Sequence, residues 1–69
     1  MDIDETIEVV DYYLDTIKDG LPSDLRIIST PLNIVIIDGY GASRPDRYTI
    51  TKDAIGDERY ARLLAYKTN

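Results

Sequence analysis

Four β-branched residues in succession, Ile34-Val35-Ile36-Ile37, constrain this chain more than any other feature. Side chains of a strand alternate between faces, so Ile34 and Ile36 line one face and Val35 and Ile37 the other. A strand that is apolar on both faces must be covered on both. The first cover is an amphipathic helix. The second is either another helix or a second copy of the protein, so a homodimer is one of the two solutions. With 69 residues there is room for a single domain, 1–69, and with no cysteine nothing staples it.

The remaining elements follow from local signals. Ile3, Ile7, Val10, Leu14 and Ile17 recur at spacings of 4, 3, 4 and 3, which places them on one face of a helix over Asp2–Asp19. Asp2 is the expected N-cap, with Glu5 three residues on completing a capping box. Gly20 suits a left-handed helix stop, and Pro22 prevents continuation. Leu25–Ser29 reads as a short strand, Thr30-Pro31-Leu32-Asn33 as a turn, Ile34–Asp38 as the central strand and Arg47–Thr51 as a half-exposed strand. A last helix, capped by Thr51 or Asp57, ends near Tyr66, and Gly56 interrupts its first turn. The order is α-β-β-β-α. Short links between the strands make an antiparallel meander, so the fold class is α+β: a three-stranded antiparallel sheet with an N-terminal and a C-terminal helix.

Charge is distributed unevenly. Up to Asp24 there are eight acids and one base; from Leu25 onward there are five acids and seven bases. The net charge is −5. An acidic first helix repels phosphates, so direct nucleic-acid binding is not expected there, and a basic protein surface is the fitting partner. The chain has neither His nor Cys, which removes the usual acid–base group, the commonest metal ligand and the thiolate nucleophile. The acids lie along an exposed helix rather than in a pocket, and no calcium-loop spacing occurs. No enzyme activity, cofactor or metal is expected. The longest purely apolar run, Ile34 to Ile37, is far short of the roughly 20 residues a bilayer requires, and Met1-Asp2-Ile3-Asp4-Glu5 has no basic n-region. No membrane association is expected.

Within the first helix, Asp4, Glu8, Asp11, Asp15 and Asp19 fall in one narrow sector beside the apolar face. Like charges three and four residues apart repel, and only Lys18 relieves them. Carboxylates on successive turns lie about 6 Å apart, comparable with phosphates along a strand. They suit docking into a basic groove; the competing reading is a plain solvated face. Tyr12, beside Val9 on the side away from the core, has the character of an interaction anchor. Asp38-Gly39-Tyr40-Gly41-Ala42-Ser43 is a hairpin loop rather than a phosphate cradle, because Pro45 and a strand follow it instead of a helix. Tyr40 at its tip is a further contact candidate. Arg59, Arg62 and Lys67 form a basic strip with three uses open: pairing with helix-one acids, a contact across a dimer, or a phosphate patch.

In its short length, its lack of catalytic groups and the stripe Asp4, Glu8, Asp11, Asp15, Asp19, the chain resembles in type the small acidic inhibitors that phages carry against bacterial defence systems, the anti-CRISPR and anti-restriction proteins. No family motif carries the resemblance. It implies a non-catalytic inhibitor that occupies a basic nucleic-acid-binding surface of a defence complex, in the cytoplasm of a bacterial host. The alternative is a small dimeric adaptor or antitoxin-like module that uses Tyr12, Tyr40 and the apolar strand. The expected partner-binding residues are Asp4, Glu8, Asp11, Tyr12, Asp15, Asp19 and Tyr40.

Overall fold

The computed structural model describes residues 2–68. Its elements are α1 (Ile3–Ile17), β1 (Leu25–Ser29), β2 (Ile34–Asp38), β3 (Asp46–Ile50) and α2 (Lys52–Leu64). The fold class is the expected one, α-β-β-β-α with a single antiparallel sheet in the order β1-β2-β3.

Local chemistry accounts for the ends of α1. Asp2 is extended (φ −80°, ψ 173°), and its Oδ1 accepts from the Glu5 N–H at 2.8 Å, satisfying one of the free amides of the first turn. The helix stops at Ile17, two residues earlier than its sequence pattern, with Lys18 as C-cap. Gly20 takes φ +130° and donates its N–H to the Ile17 carbonyl at 2.9 Å. Asp19 therefore lies in the turn after the helix rather than on its acidic stripe. Val10, Leu14 and Ile17 are buried as the periodicity requires, whereas Ile3, in the first turn, is exposed.

Register assigns each strand residue to a face. Ile27 pairs with Ile36 and Ile36 with Tyr48; Ile34 stands between Ser29 and Ile50. Leu25, Ile27, Ile34, Ile36 and Ile50 thus share one face, and all five join the core with Val10, Tyr13, Leu14 and Ile17 of α1 and Ile55 and Leu63 of α2. Both helices lie on this face, in one layer. They run in the same direction, since Asp11 meets Arg59 while Leu14, Ile17 and Lys18 meet Arg62, Ala65 and Tyr66. α2 packs over β1 and β2; Tyr13 brings α1 to Asp38 and to Tyr48 of β3.

Of the two covers expected for the other face, α2 does not supply one. Among the described residues, no helix reaches it. Ile28 and Val35 remain half-buried there, yet Ile37 is only 5% exposed and stands outside the main core. Its cross-strand neighbours are Arg26 and Arg47. Long arginine stems shield an apolar neighbour while keeping their heads in water. The Arg26 guanidinium lies 4.4 Å over the Tyr40 ring, so the Gly39–Pro45 loop folds toward this same side. The turn geometry of that loop uses positive φ at Gly39 and Gly41, and the Asp24 carbonyl accepts from both Gly39 and Tyr40. Neither α2 nor a second copy is required to bury Ile37.

α2 is two helical pieces joined at Gly56, whose φ 84° and ψ 168° lie in a region open essentially only to glycine. Ile55 before the break and Leu63 after it are both buried. The break lets a single turn after Thr51 and the longer run from Asp57 each bury one apolar side chain in the core, with Ala54, Tyr60 and Leu64 packed against it. Beyond α2 the chain returns to β1. Thr68 donates its N–H to the Ile27 carbonyl at 2.7 Å, and its Oγ1 accepts from the Ile27 N–H at 3.3 Å. Among the described residues, no backbone group pairs with the outer edge of β3.

Candidate functional site

α1 presents its outer face from Asp11, on the α2 side, round to Val9, on the β3 side. The acids along it are not alike. Arg59 grips Asp11 with two hydrogen bonds, Nε to Oδ1 at 2.8 Å and Nη2 to Oδ2 at 3.2 Å. This fork geometry is the strong form of the carboxylate–arginine contact. The Arg59 hydrogen bond holds the Asp11 carboxyl below its usual range, and Arg62 adds to the pull. The stabilisation it gives is present at neutral pH and is lost as pH falls through that lowered value. Asp15 contacts Lys18 at 3.0 Å, both well exposed. Among the described residues, Asp4, Glu8 and Asp19 have no ion-pair partner. The acidic stripe of α1 is thus interrupted between Glu8 and Asp15 by α2: Arg59 of the basic strip serves pairing within the fold.

Tyr12 is 66% exposed on this face. Its ring stands edge-on to Tyr13, with centroids 5.1 Å apart and planes at 81°. Tyr13 is buried; its hydroxyl donates to Asp38 Oδ2 at 2.7 Å, and its ring lies 5.7 Å from that of Tyr48. Tyr40, 53% exposed, belongs to the loop on the opposite face of the sheet and does not join the α1 cluster. The seven sequence-derived candidates therefore form one group on α1 (Asp4, Glu8, Asp11, Tyr12, Asp15), one flanking residue (Asp19) and one distant residue (Tyr40).

Sequence reasoning did not single out Tyr48. It places Tyr48 on a half-exposed strand, and its contact with Tyr13 across 35 positions depends on register and helix placement together. The available signal was the alternation of β3, which sets Tyr48 on the same face as Ile50. Val9, Tyr12 and Tyr48 converge with Glu8 and Tyr13 on a groove between α1 and β3. A second cleft, between the C-terminal ends of the two helices, carries Lys18 and Arg62. Among the described residues, no three carboxylates converge as a metal site, and no helix is long and apolar enough to cross a membrane.

Burial is the main cause that raises the Tyr13 phenol well above its ordinary value near 10, and the Asp38 carboxylate adds to it. The neutral phenol is favoured in the folded chain, so this contribution is complete below pH 10 and is lost as pH rises beyond it. Urea midpoints should fall from about pH 10 upward, because each unit of pH then costs about 1.4 kcal/mol. In Tyr13→Phe that alkaline slope should be shallower by about one proton, although the variant is less stable at neutral pH. Equal slopes in parent and variant would show that Tyr13 is not the group resisting ionisation.

No protein-family model matches the chain, and neither curated proteins nor solved structures give a significant match.

Proposed function

We propose that the chain is a non-catalytic, stoichiometric inhibitor whose α1 face docks on a basic nucleic-acid-binding surface of a protein partner. The partner class that fits is a bacterial phage-defence complex, met in the host cytoplasm. The observation that carries this reading is that Asp4 and Glu8, with Asp19 flanking them past the end of α1, have no ion-pair partner among the described residues, on the side of α1 that exposes the Tyr12 ring. Like charges gathered along one side of a helix favour a cationic surface, and an exposed tyrosine among them supplies an apolar anchor at low entropic cost. Asp11 acts from within, by holding α1 against α2.

A second reading has its own observation. Ile28 and Val35 leave apolar area on the open sheet face, the side toward which the loop carrying Tyr40 folds. This favours a small adaptor that docks through the sheet while the acids serve solvation.

Salt separates the two. The partner captured from a bacterial lysate is purified and titrated with the protein while its nucleic-acid binding is followed. Under the inhibitor reading, nucleic-acid binding is lost at one equivalent, and affinity weakens at least about tenfold between about 50 mM and about 300 mM salt. If the partner keeps its nucleic acid, or if affinity is indifferent to salt, the inhibitor reading fails.

A further inference from the structure

The groove between α1 and the edge strand β3 has a volume of about 250 Å³ and is lined by Glu8, Val9, Tyr12, Tyr13 and Tyr48. We propose that it receives one arginine side chain of a protein partner; the partner's basic character rests on the function proposed above.

Size sets the first limit. Sites for drug-sized ligands occupy about 300–1,000 Å³, so this groove suits a single long side chain. Its chemistry sets the second. Three of the five lining residues are tyrosines, and their rings meet at 81° and 51°, which presents π-faces and edges from different directions. The Tyr13 hydroxyl is committed to Asp38, so what Tyr13 offers the groove is its ring. Glu8 is the one carboxylate at the rim and has no ion-pair partner among the described residues. A cation held over aromatic faces with a carboxylate alongside gains from both the ring quadrupoles and the charge. A leucine would fill the same space without using Glu8, and a phosphate would be repelled by it.

Arginine fits better than lysine. Its guanidinium is flat, stacks on rings and can give two parallel hydrogen bonds to one carboxylate. The molecule already uses both contacts internally: Arg26 lies over Tyr40 at 4.4 Å, and Arg59 forks onto Asp11. At the groove the tyrosines and the carboxylate are present, and neither of these arginines reaches them.

The test is NMR of the ring protons of Tyr12 and Tyr48 during titration with N-acetyl-argininamide, and with N-acetyl-citrullinamide as the uncharged isostere. Argininamide should give saturable shifts in the millimolar range at both rings, and citrullinamide at least about fivefold weaker binding. Glu8→Gln and Tyr12→Ala should each weaken argininamide at least about threefold. Both positions are exposed, and unchanged methyl shifts of Ile36 report that the fold is retained. Absence of saturation, equal binding of citrullinamide, or shifts centred on Tyr40 would overturn the proposal. Charge reversal at Asp4, Asp15 and Asp19 leaves the groove walls untouched, which separates the two claims. Capture lost on reversal with no argininamide binding rejects the groove and keeps the basic-surface reading. Argininamide binding with capture indifferent to reversal does the opposite.

Discussion

Ile36→Ala should leave the chain largely unfolded at 25 °C, while Val35→Ala, one residue away, should leave it folded. Ile36 is completely buried at the centre of β2, between Ile27 and Tyr48, under both helices. Truncating a buried isoleucine to alanine costs about 2–5 kcal/mol through lost transfer energy and the cavity that remains. A chain of 69 residues without a disulfide has about 3–5 kcal/mol to lose. Val35 points to the open face, is only half-buried and stands outside the core, so its truncation should cost about 1 kcal/mol or less. Urea titrations followed by far-ultraviolet circular dichroism measure both. Equal effects at the two positions would mean that the helices do not share one face of the sheet.

The second large effect concerns binding. Reversing Asp4, Asp15 and Asp19 to lysine together should abolish capture of a basic partner, with a loss of about a thousandfold or more. Close opposite charges across an interface are worth on the order of 1.5 kcal/mol each, and three such pairs compound. The fold should survive. Lysine for Asp4 opposes the helix dipole in the first turn; lysine for Asp15 gives up an exposed contact with Lys18 worth about 1 kcal/mol or less but favours the dipole near the last turn, and Asp19 lies beyond the helix. Asp11 is spared because its reversal would set a lysine against Arg59 and loosen the helix pair. Thermal melts establish that the variant is folded, and capture at low salt reads the loss. A folded variant that binds as well as the parent would reduce the acids to a solvated face and favour the sheet-docking adaptor.

What the sequence disclosed follows the range of the interactions. The N-cap at Asp2, the stop at Gly20, the turn at Pro31 and the meander are set by neighbours within a few residues, and each is legible in the residues themselves. The break at Gly56 belongs with them, although the turn preceding it adds a piece of α2 that begins at Lys52. The side of the sheet taken by α2 was not legible. The apolar residues of that helix satisfy either face, and the choice rests on contacts such as Asp11 with Arg59, 48 positions apart. Ile37 is buried as a strand apolar on both faces requires, but what covers it was missed for a related reason: arginine counts as polar in a periodicity argument, yet Arg26 and Arg47 flank it with hydrocarbon stems. The acidic sector of α1 was visible as a pattern, but its division into paired and unpaired carboxylates depends on where α2 lies.

The Thr68 contact gives the sheet two unequal borders. On the β1 side, the peptide groups of Ile27 are already taken by the chain's own tail, whereas the β3 border stands open, with Asp46 and Arg47 as its charged guards. Lateral recruitment of another strand then has a direction. A sheet that can grow from both borders propagates without limit; one that can grow from a single border is finished as soon as two copies meet. Edge-to-edge association of this chain would end at a closed pair, one continuous sheet of six strands, with no free border left to seed a fibre.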